Sequence, residues 1–140
     1  MDKKRDLLDM DFAEISEAFA ALGFPSFRAK QVYQWLYSGQ LDFDSMSNLP
    51  KDMRAKLADE FKAGGLKISD KLVSKIDGTR KYLFELDDGN IIESVLMKYR
   101  YGYSVCLSTQ VGCRMGCAFC ASANLGLVRN LTAGELMAQV

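Results

Sequence analysis

Three of the four cysteines in this chain, Cys113, Cys117 and Cys120, fall within eight consecutive residues in a C-x3-C-x2-C array. Thiolates are ligands for soft metals, so three on one short stretch point to a metal centre rather than to inert buried cysteines. Gly112 and Gly116 let the backbone turn tightly enough to aim the sulfurs at one point. Iron–sulfur clusters are normally held by four cysteines. The only other one, Cys106, stands seven residues upstream, so a compact array of three leaves one iron open to a small ligand. A zinc site usually takes two pairs of closely spaced ligands; here only Cys117 and Cys120 have the short spacing, with Cys106 as a distant fourth. A thioredoxin-like Cys117-Ala-Phe-Cys120 leaves Cys113 unexplained, and the array departs from the ferredoxin C-x2-C-x2-C-x3-C run. The chain has no histidine, which removes His-containing zinc sites, Cys-His pairs and Ser-His-Asp triads. On chemistry alone Cys106 reads as a small hydrophobe in a core and Phe119 as a ring packing the loop.

The elements that must position these residues change character along the chain. Asp11 and Glu14 form a capping-box pattern, followed by Phe12, Ile15, Phe19 and Leu22 at helical spacing up to Gly23. A second helix is predicted from Ser26 through Phe27, Ala29, Val32, Trp35 and Leu36 to a stop at Gly39. A third follows Pro50, with Met53, Leu57 and Phe61 four residues apart. These make a small bundle with Phe12, Phe19, Phe27 and Trp35 as its aromatic core. Beyond Gly64-Gly65 the period becomes strand-like: Leu72 to Ile76, Lys81 to Leu86 and Ile91 to Lys98 are strands, with turns at Asp77-Gly78 and Asp88-Gly89. Ser104 to Thr109 reads as the strand that delivers a long loop, Gln110 to Asn130, and Thr132-Ala-Gly-Glu135 caps a final helix. A strand, a ligand loop and the start of a helix open a parallel α/β barrel, which needs further crossovers to complete its sheet. The chain therefore reads as a truncated piece of a longer enzyme.

Its 140 residues, 49% of them hydrophobic, are enough for a globular core. Lysine plus arginine equals aspartate plus glutamate at 18 each, so no global field advertises a polyanionic partner. Around the thiols the balance is positive, with Lys98, Arg100, Arg114 and Arg129 against Glu135. The basic N-terminus has no apolar run behind it and no stretch approaches the ~20 apolar residues of a membrane span. A cytoplasmic chain is expected, and in that reducing compartment clustered cysteines are metal-binding or catalytic rather than disulfides.

The array with Phe119 before its last cysteine resembles the cluster signature of radical S-adenosylmethionine enzymes. Ser104-Val-Cys-Leu-Ser-Thr-Gln-Val-Gly-Cys113 before it, and Phe119-Cys-Ala-Ser122 and Arg129-Asn-Leu-Thr132 after it, are similar to radical methyltransferases acting on carbon 2 of adenine in 23S ribosomal RNA and transfer RNA. So are Phe27-Arg-Ala-Lys-Gln31 and Asn48-Leu-Pro50. The resemblance implies that Cys113, Cys117 and Cys120 hold a [4Fe-4S] cluster whose open iron takes S-adenosylmethionine, with Phe119 near the cofactor's adenine. It implies for Cys106 a catalytic role, removing the ring proton and resolving an enzyme–RNA adduct. It further implies a cytoplasmic monomer, with 23S ribosomal RNA and transfer RNA as partners and an electron donor such as flavodoxin.

The fold class implied is α+β followed by α/β. Residues 1–63 would be a helix-hairpin-helix-like RNA-binding domain, with Arg28 and Lys30 at basic positions. Residues 64–102 would be connecting hairpins, and residues 103–140 the first strand-loop-helix unit of a truncated radical S-adenosylmethionine partial TIM barrel. The methyl-carrying cysteine and most cofactor-binding segments of such an enzyme are not in this sequence, so these residues alone are expected to be inactive. Two alternatives remain: a carbon-8 adenine methyltransferase of the resistance type, and a non-catalytic RNA-binding or zinc-stapled module.

Overall fold

The computed structural model describes residues 4–140 apart from the side chain of Ser122; the first residues of the basic N-terminal stretch, Met1 to Lys3, lie outside them. The chain divides into two compact units, Met1–Gly64 and Gly65–Val140.

The first unit is helical. Helix α1, Phe12–Ala21, begins with the full capping box: the Glu14 N–H donates to the Asp11 carboxylate at 2.8 Å and the Asp11 N–H donates to the Glu14 carboxylate at 2.8 Å. Helix α2, Ser26–Tyr37, and helix α3, Lys51–Glu60, each follow a proline whose φ near −60° suits a helix entry. Gly23 and Gly39, at φ +80° and +83°, end α1 and α2 in the left-handed turn that side-chain-bearing residues resist. The core gathers Leu7, Ile15, Phe19, Val32, Met46 and Leu57, each at or below 1% exposure. Each side chain of this size contributes ~1.5–3 kcal/mol by burial.

Two of the aromatics expected in that core are outside it. Phe12 is 44% exposed and Phe27 53% exposed. Phe12 instead meets Tyr33 edge-on at 5.3 Å, and the Phe27 ring lies under the Arg28 guanidinium at 4.8 Å. Trp35 is half-buried, its indole N–H donating to the Asn48 side-chain oxygen at 2.7 Å. The unit is closed by a short parallel pair, β1 (Arg5–Asp6) on β2 (Phe61–Lys62). The buried Asp6 carboxylate accepts the N–H groups of Leu8 and Gly64, both at 3.0 Å, and pairs with Lys62 at 3.5 Å.

The second unit is built on an antiparallel sheet in the order β3 (Lys67–Val73), β4 (Arg80–Glu85), β5 (Ile91–Tyr99), β6 (Gly102–Cys106). The turns lie at Asp77-Gly78 and Asp88-Gly89, as the sequence predicts. Strand β3 is exposed along its whole length and carries charges and a bulge between Ile68 and Asp70. Those features protect an edge from unwanted pairing.

The predicted strand Ser104 to Thr109 differs from the one that forms. Pairing stops at Cys106, and Gln110–Cys113 forms a separate strand, β7, antiparallel to β8 (Gly126–Asn130). The expected long loop is thus held at its base by a hairpin. Helix α4, Ala133–Met137, starts with the predicted Thr132–Glu135 capping box. Phe84, Leu86, Ile92, Val111 and Leu131 form the core of this unit, with Leu66, Tyr82 and Leu136 packed on it. Among the described residues no helix is long and apolar enough to cross a membrane.

Candidate metal and cofactor site

The three clustered cysteines occupy the end of β7 and the loop that it opens. Cys113 is the last residue of β7, opposite Gly126 in the register, and a bulge separates Val111 from Gly112. Gly112 sits at φ +72°, and a Cβ added there would lie 1.8 Å from the Gly126 carbonyl oxygen. Only glycine permits this approach of β7 to β8. The hairpin base is tied by the Gln110 side-chain amide to the Asn130 side-chain oxygen at 2.8 Å, and by the Leu131 N–H to the Thr109 carbonyl at 3.0 Å. Within the loop, the Cys120 N–H donates to the Cys117 carbonyl at 3.1 Å and the Ala123 N–H to the Cys120 carbonyl at 3.1 Å. The Met115 N–H donates to Cys113 Sγ at 3.5 Å.

All four cysteines carry free thiols; Cys113 and Cys117 are half-buried, Cys120 and Cys106 exposed. Among the described residues no three Cys, Asp or Glu side chains converge as a metal would require. The donor set nevertheless fits an iron–sulfur cluster in kind: three sulfurs on one backbone-tied loop, with no histidine in the chain. Phe119 is 93% exposed.

Cys106 lies on β6 opposite Val95 of β5, and Val95 lies opposite Lys81 of β4. Side chains two apart on a strand share a face, so Cys106 faces the same way as Leu83, Ile91 and Glu93. Those three residues, with Ser108, Gly112 and Cys113, line a cleft of about 590 Å³. Cys106 and Cys113 are thereby carried to one side of the sheet. On that face Lys81 pairs with Glu93 at 2.9 Å.

Two polar clusters brace this region. Gln139, buried on the last turn, accepts from the Ser94 hydroxyl at 2.6 Å and the Ser108 N–H at 3.0 Å, and donates to the Ser108 carbonyl at 2.9 Å. It grips both polar groups of one peptide-chain residue, as a neighbouring strand would, two residues after Cys106. The second cluster is centred on Arg129. Its guanidinium donates two bonds of 2.8 Å to Glu135 and one of 2.6 Å to Asp88. The Arg129 hydrogen bonds hold both carboxyls below their usual range, and Glu135, then Asp88, raise the guanidinium above its own. Arg129 stays charged, but the two carboxylates offset it, and the positive charge expected around the thiols is reduced by that much. Sequence reasoning noted Arg129 and Glu135 in short motifs but not their pairing with Asp88, 41 residues away along the chain. Gln139 gave no signal, because its partners are backbone groups and serines that carry no pattern.

Residues 5–62 match the model of the ribosomal RNA large subunit methyltransferase N-terminal domain. The whole chain is 51% identical over 140 residues to a probable dual-specificity RNA methyltransferase RlmN of Alkaliphilus metalliredigens, covering 40% of that protein. It is 52% identical over 138 residues to the corresponding protein of Alkaliphilus oremlandii, again 40% of its length. Among solved structures it is similar to a radical SAM methyltransferase from Sphaerobacter thermophilus, with a TM-score of 0.91 and 44% identity over 96% of this chain and 40% of that one. The chain spans about 40% of the length of the curated relatives it matches. Over the length it spans, the chain is similar to these RlmN RNA methyltransferases, and residues 5–62 match the N-terminal domain model.

Proposed function

We propose that this chain is part of a radical S-adenosylmethionine RNA methyltransferase that methylates carbon 2 of adenine in 23S ribosomal RNA and transfer RNA. The observation that carries the reading is the loop of three free thiols, closed at its base by Gly112 and the β7–β8 hairpin, in a chain half identical to named RNA methyltransferases. Cys113, Cys117 and Cys120 would hold a [4Fe-4S] cluster and leave one iron for S-adenosylmethionine. When bound, the cluster supplies the electron that cleaves the cofactor. Phe119, on the same loop, would lie against the cofactor's adenine.

Cys106, exposed and on the same side of the sheet as Cys113, would act as a thiolate that takes the proton from carbon 2 of the substrate base. The 590 Å³ cleft lined by Cys113 on that side is roomy enough for a planar base. Residues 103–140 would open a partial TIM barrel, residues 64–102 would connect to it, and residues 1–63 would help grip RNA. The whole enzyme would be a cytoplasmic monomer served by a flavodoxin-like electron donor, and these 140 residues alone would not methylate RNA.

The test is anaerobic reconstitution with iron and sulfide, followed by electron paramagnetic resonance with and without S-adenosylmethionine. The expected result is a reduced [4Fe-4S] signal that shifts with the cofactor and is lost in Cys117→Ala. Stoichiometric zinc in place of a cluster would refute the reading and leave a metal-stapled structural module.

A further inference from the structure

The last paired residues of β4 and β5 at one end of the sheet are Arg80 and Leu96, but β5 continues to pair with β6 as far as Tyr99 and Gly102. Residues 97–104 therefore extend as a two-stranded ribbon beyond β4. Its sequence interleaves cations and rings: Lys98, Tyr99, Arg100, Tyr101, then Tyr103. Tyr101 is 79% exposed and Tyr103 65% exposed. The rings of Tyr99 and Tyr101 are already stacked, with centroids 5.1 Å apart and planes within 9°. A parallel pair of this kind presents an outer flat face whose natural continuation is another planar ring.

Lys98 and Arg100 are exposed and make no ion pair among the described residues, and neither does Arg80 beside them. Lys98, Tyr103 and Arg80 line a small groove of about 160 Å³ against the β3–β4 turn. The one carboxylate there, Asp77, is engaged with its own turn through the Thr79 N–H at 3.0 Å. Exposed rings attract any apolar partner, but rings alternating with unpaired cations match a chain of bases on a phosphate backbone.

We propose that the overhanging β5–β6 ribbon is a docking surface for single-stranded RNA, with a base stacked on Tyr101 and phosphates met by Lys98 and Arg100. The inference rests on the reading of the protein as RNA-directed, and adds to the thiol site a second contact on a different part of the same unit. It assigns to the ribbon the task of holding an unpaired strand beside the sheet.

The experiment is fluorescence anisotropy of an end-labelled single-stranded 12-nucleotide RNA titrated with the 140-residue chain across a salt series. Tyr101→Ala is expected to weaken binding about tenfold, and Tyr101→Phe to bind like the unsubstituted chain, because stacking needs the ring and not the hydroxyl. Lys98→Ala with Arg100→Ala is expected to flatten the slope of log affinity against log salt by about 1.4, the effect of two single-strand phosphate contacts. Nitration of Tyr99, Tyr101 and Tyr103 by tetranitromethane, followed by mass spectrometry, needs no variant; RNA is expected to protect Tyr101 most. RNA binding that is equal in all variants, with no protection of Tyr101, would overturn the ribbon and leave the RNA-directed reading standing. Absence of RNA binding in the unsubstituted chain would overturn the ribbon too, while the cluster test above judges the enzyme separately. Concentration-dependent self-association abolished by Tyr101→Ala, without an effect on RNA, would reassign the ribbon to protein contact.

Discussion

Replacing Gly112 and Gly116 separately by alanine would isolate what the close approach of β7 to β8 contributes. Both glycines have positive φ, +72° and +64°, so alanine at either costs about 1–2 kcal/mol in backbone conformation. Their surroundings differ. Around Gly116 a Cβ meets nothing within 4 Å, whereas at Gly112 it would stand 1.8 Å from a backbone oxygen of Gly126. That oxygen cannot rotate away like a side chain. The strands must part by more than about 1 Å, which breaks the pairing of Gly112 and Cys113 with Leu127 and Gly126. Two lost hydrogen bonds at about 1 kcal/mol each bring the total for Gly112→Ala to about 3–4 kcal/mol.

For a unit of this size, 1 kcal/mol moves Tm by about 4–8 °C. Gly116→Ala is therefore expected to lower the melting of the second unit by under about 15 °C, and Gly112→Ala by at least about 12 °C and up to about 30 °C. Hydrogen exchange read by mass spectrometry can separate the units, and Trp35 provides an independent monitor of the first. Cys113, half-buried at the end of β7, should also react with a thiol reagent severalfold faster in Gly112→Ala. Equal melting of the two variants, with unchanged Cys113 reactivity, would refute the claim that this approach holds the loop.

Gln139→Leu removes the grip on Ser94 and Ser108 and leaves buried polar groups unpaired, at about 1–3 kcal/mol each; the expected result is faster exchange at Ser108 and a lower midpoint for the second unit, with Trp35 unaffected. The Arg129 cluster makes the second unit acid-sensitive. Asp88 and Glu135 have depressed folded values, so their contribution is present above the unfolded carboxylate range and is lost as pH falls below about 4. Arg129→Met should flatten that dependence in urea titrations between pH 6 and pH 3. Asp11→Ala removes the α1 cap and should cost the first unit about 1 kcal/mol by Trp35-monitored denaturation.

Features fixed by neighbouring residues were legible in the sequence. The Asp11–Glu14 and Thr132–Glu135 boxes, the glycine stops of α1 and α2, and the Asp77-Gly78 and Asp88-Gly89 turns each follow from groups a few residues apart. Failures came where partners are distant. Helical spacing put Phe12 and Phe27 on a helix, but spacing cannot tell whether another element covers that face, and both rings are exposed. The strand expected at Ser104 to Thr109 breaks because Ser108 pairs with Gln139 instead of continuing the ladder. At the candidate site the ligand types were readable from Cys113, Cys117 and Cys120. Their separation in space was not, since it depends on how the loop between β7 and β8 folds back on itself. The common side shared by Cys106 and Cys113 needed the register of three strands.

The β1–β2 pair has an architectural consequence. Arg5-Asp6 and Phe61-Lys62 lie side by side, and the Asp6 carboxylate holds both the Leu8 and the Gly64 N–H. The segments by which the polypeptide enters and leaves the helical unit are thus clamped side by side, the chain arriving at the Arg5–Phe61 end of the parallel pair and leaving at the Asp6–Lys62 end. A module latched in this way can be spliced out, exchanged for a relative's copy or inserted into a surface loop of another protein without displacing its own helices. Recombination between genes can then reassort the helical cassette independently of the thiol-bearing unit that follows it.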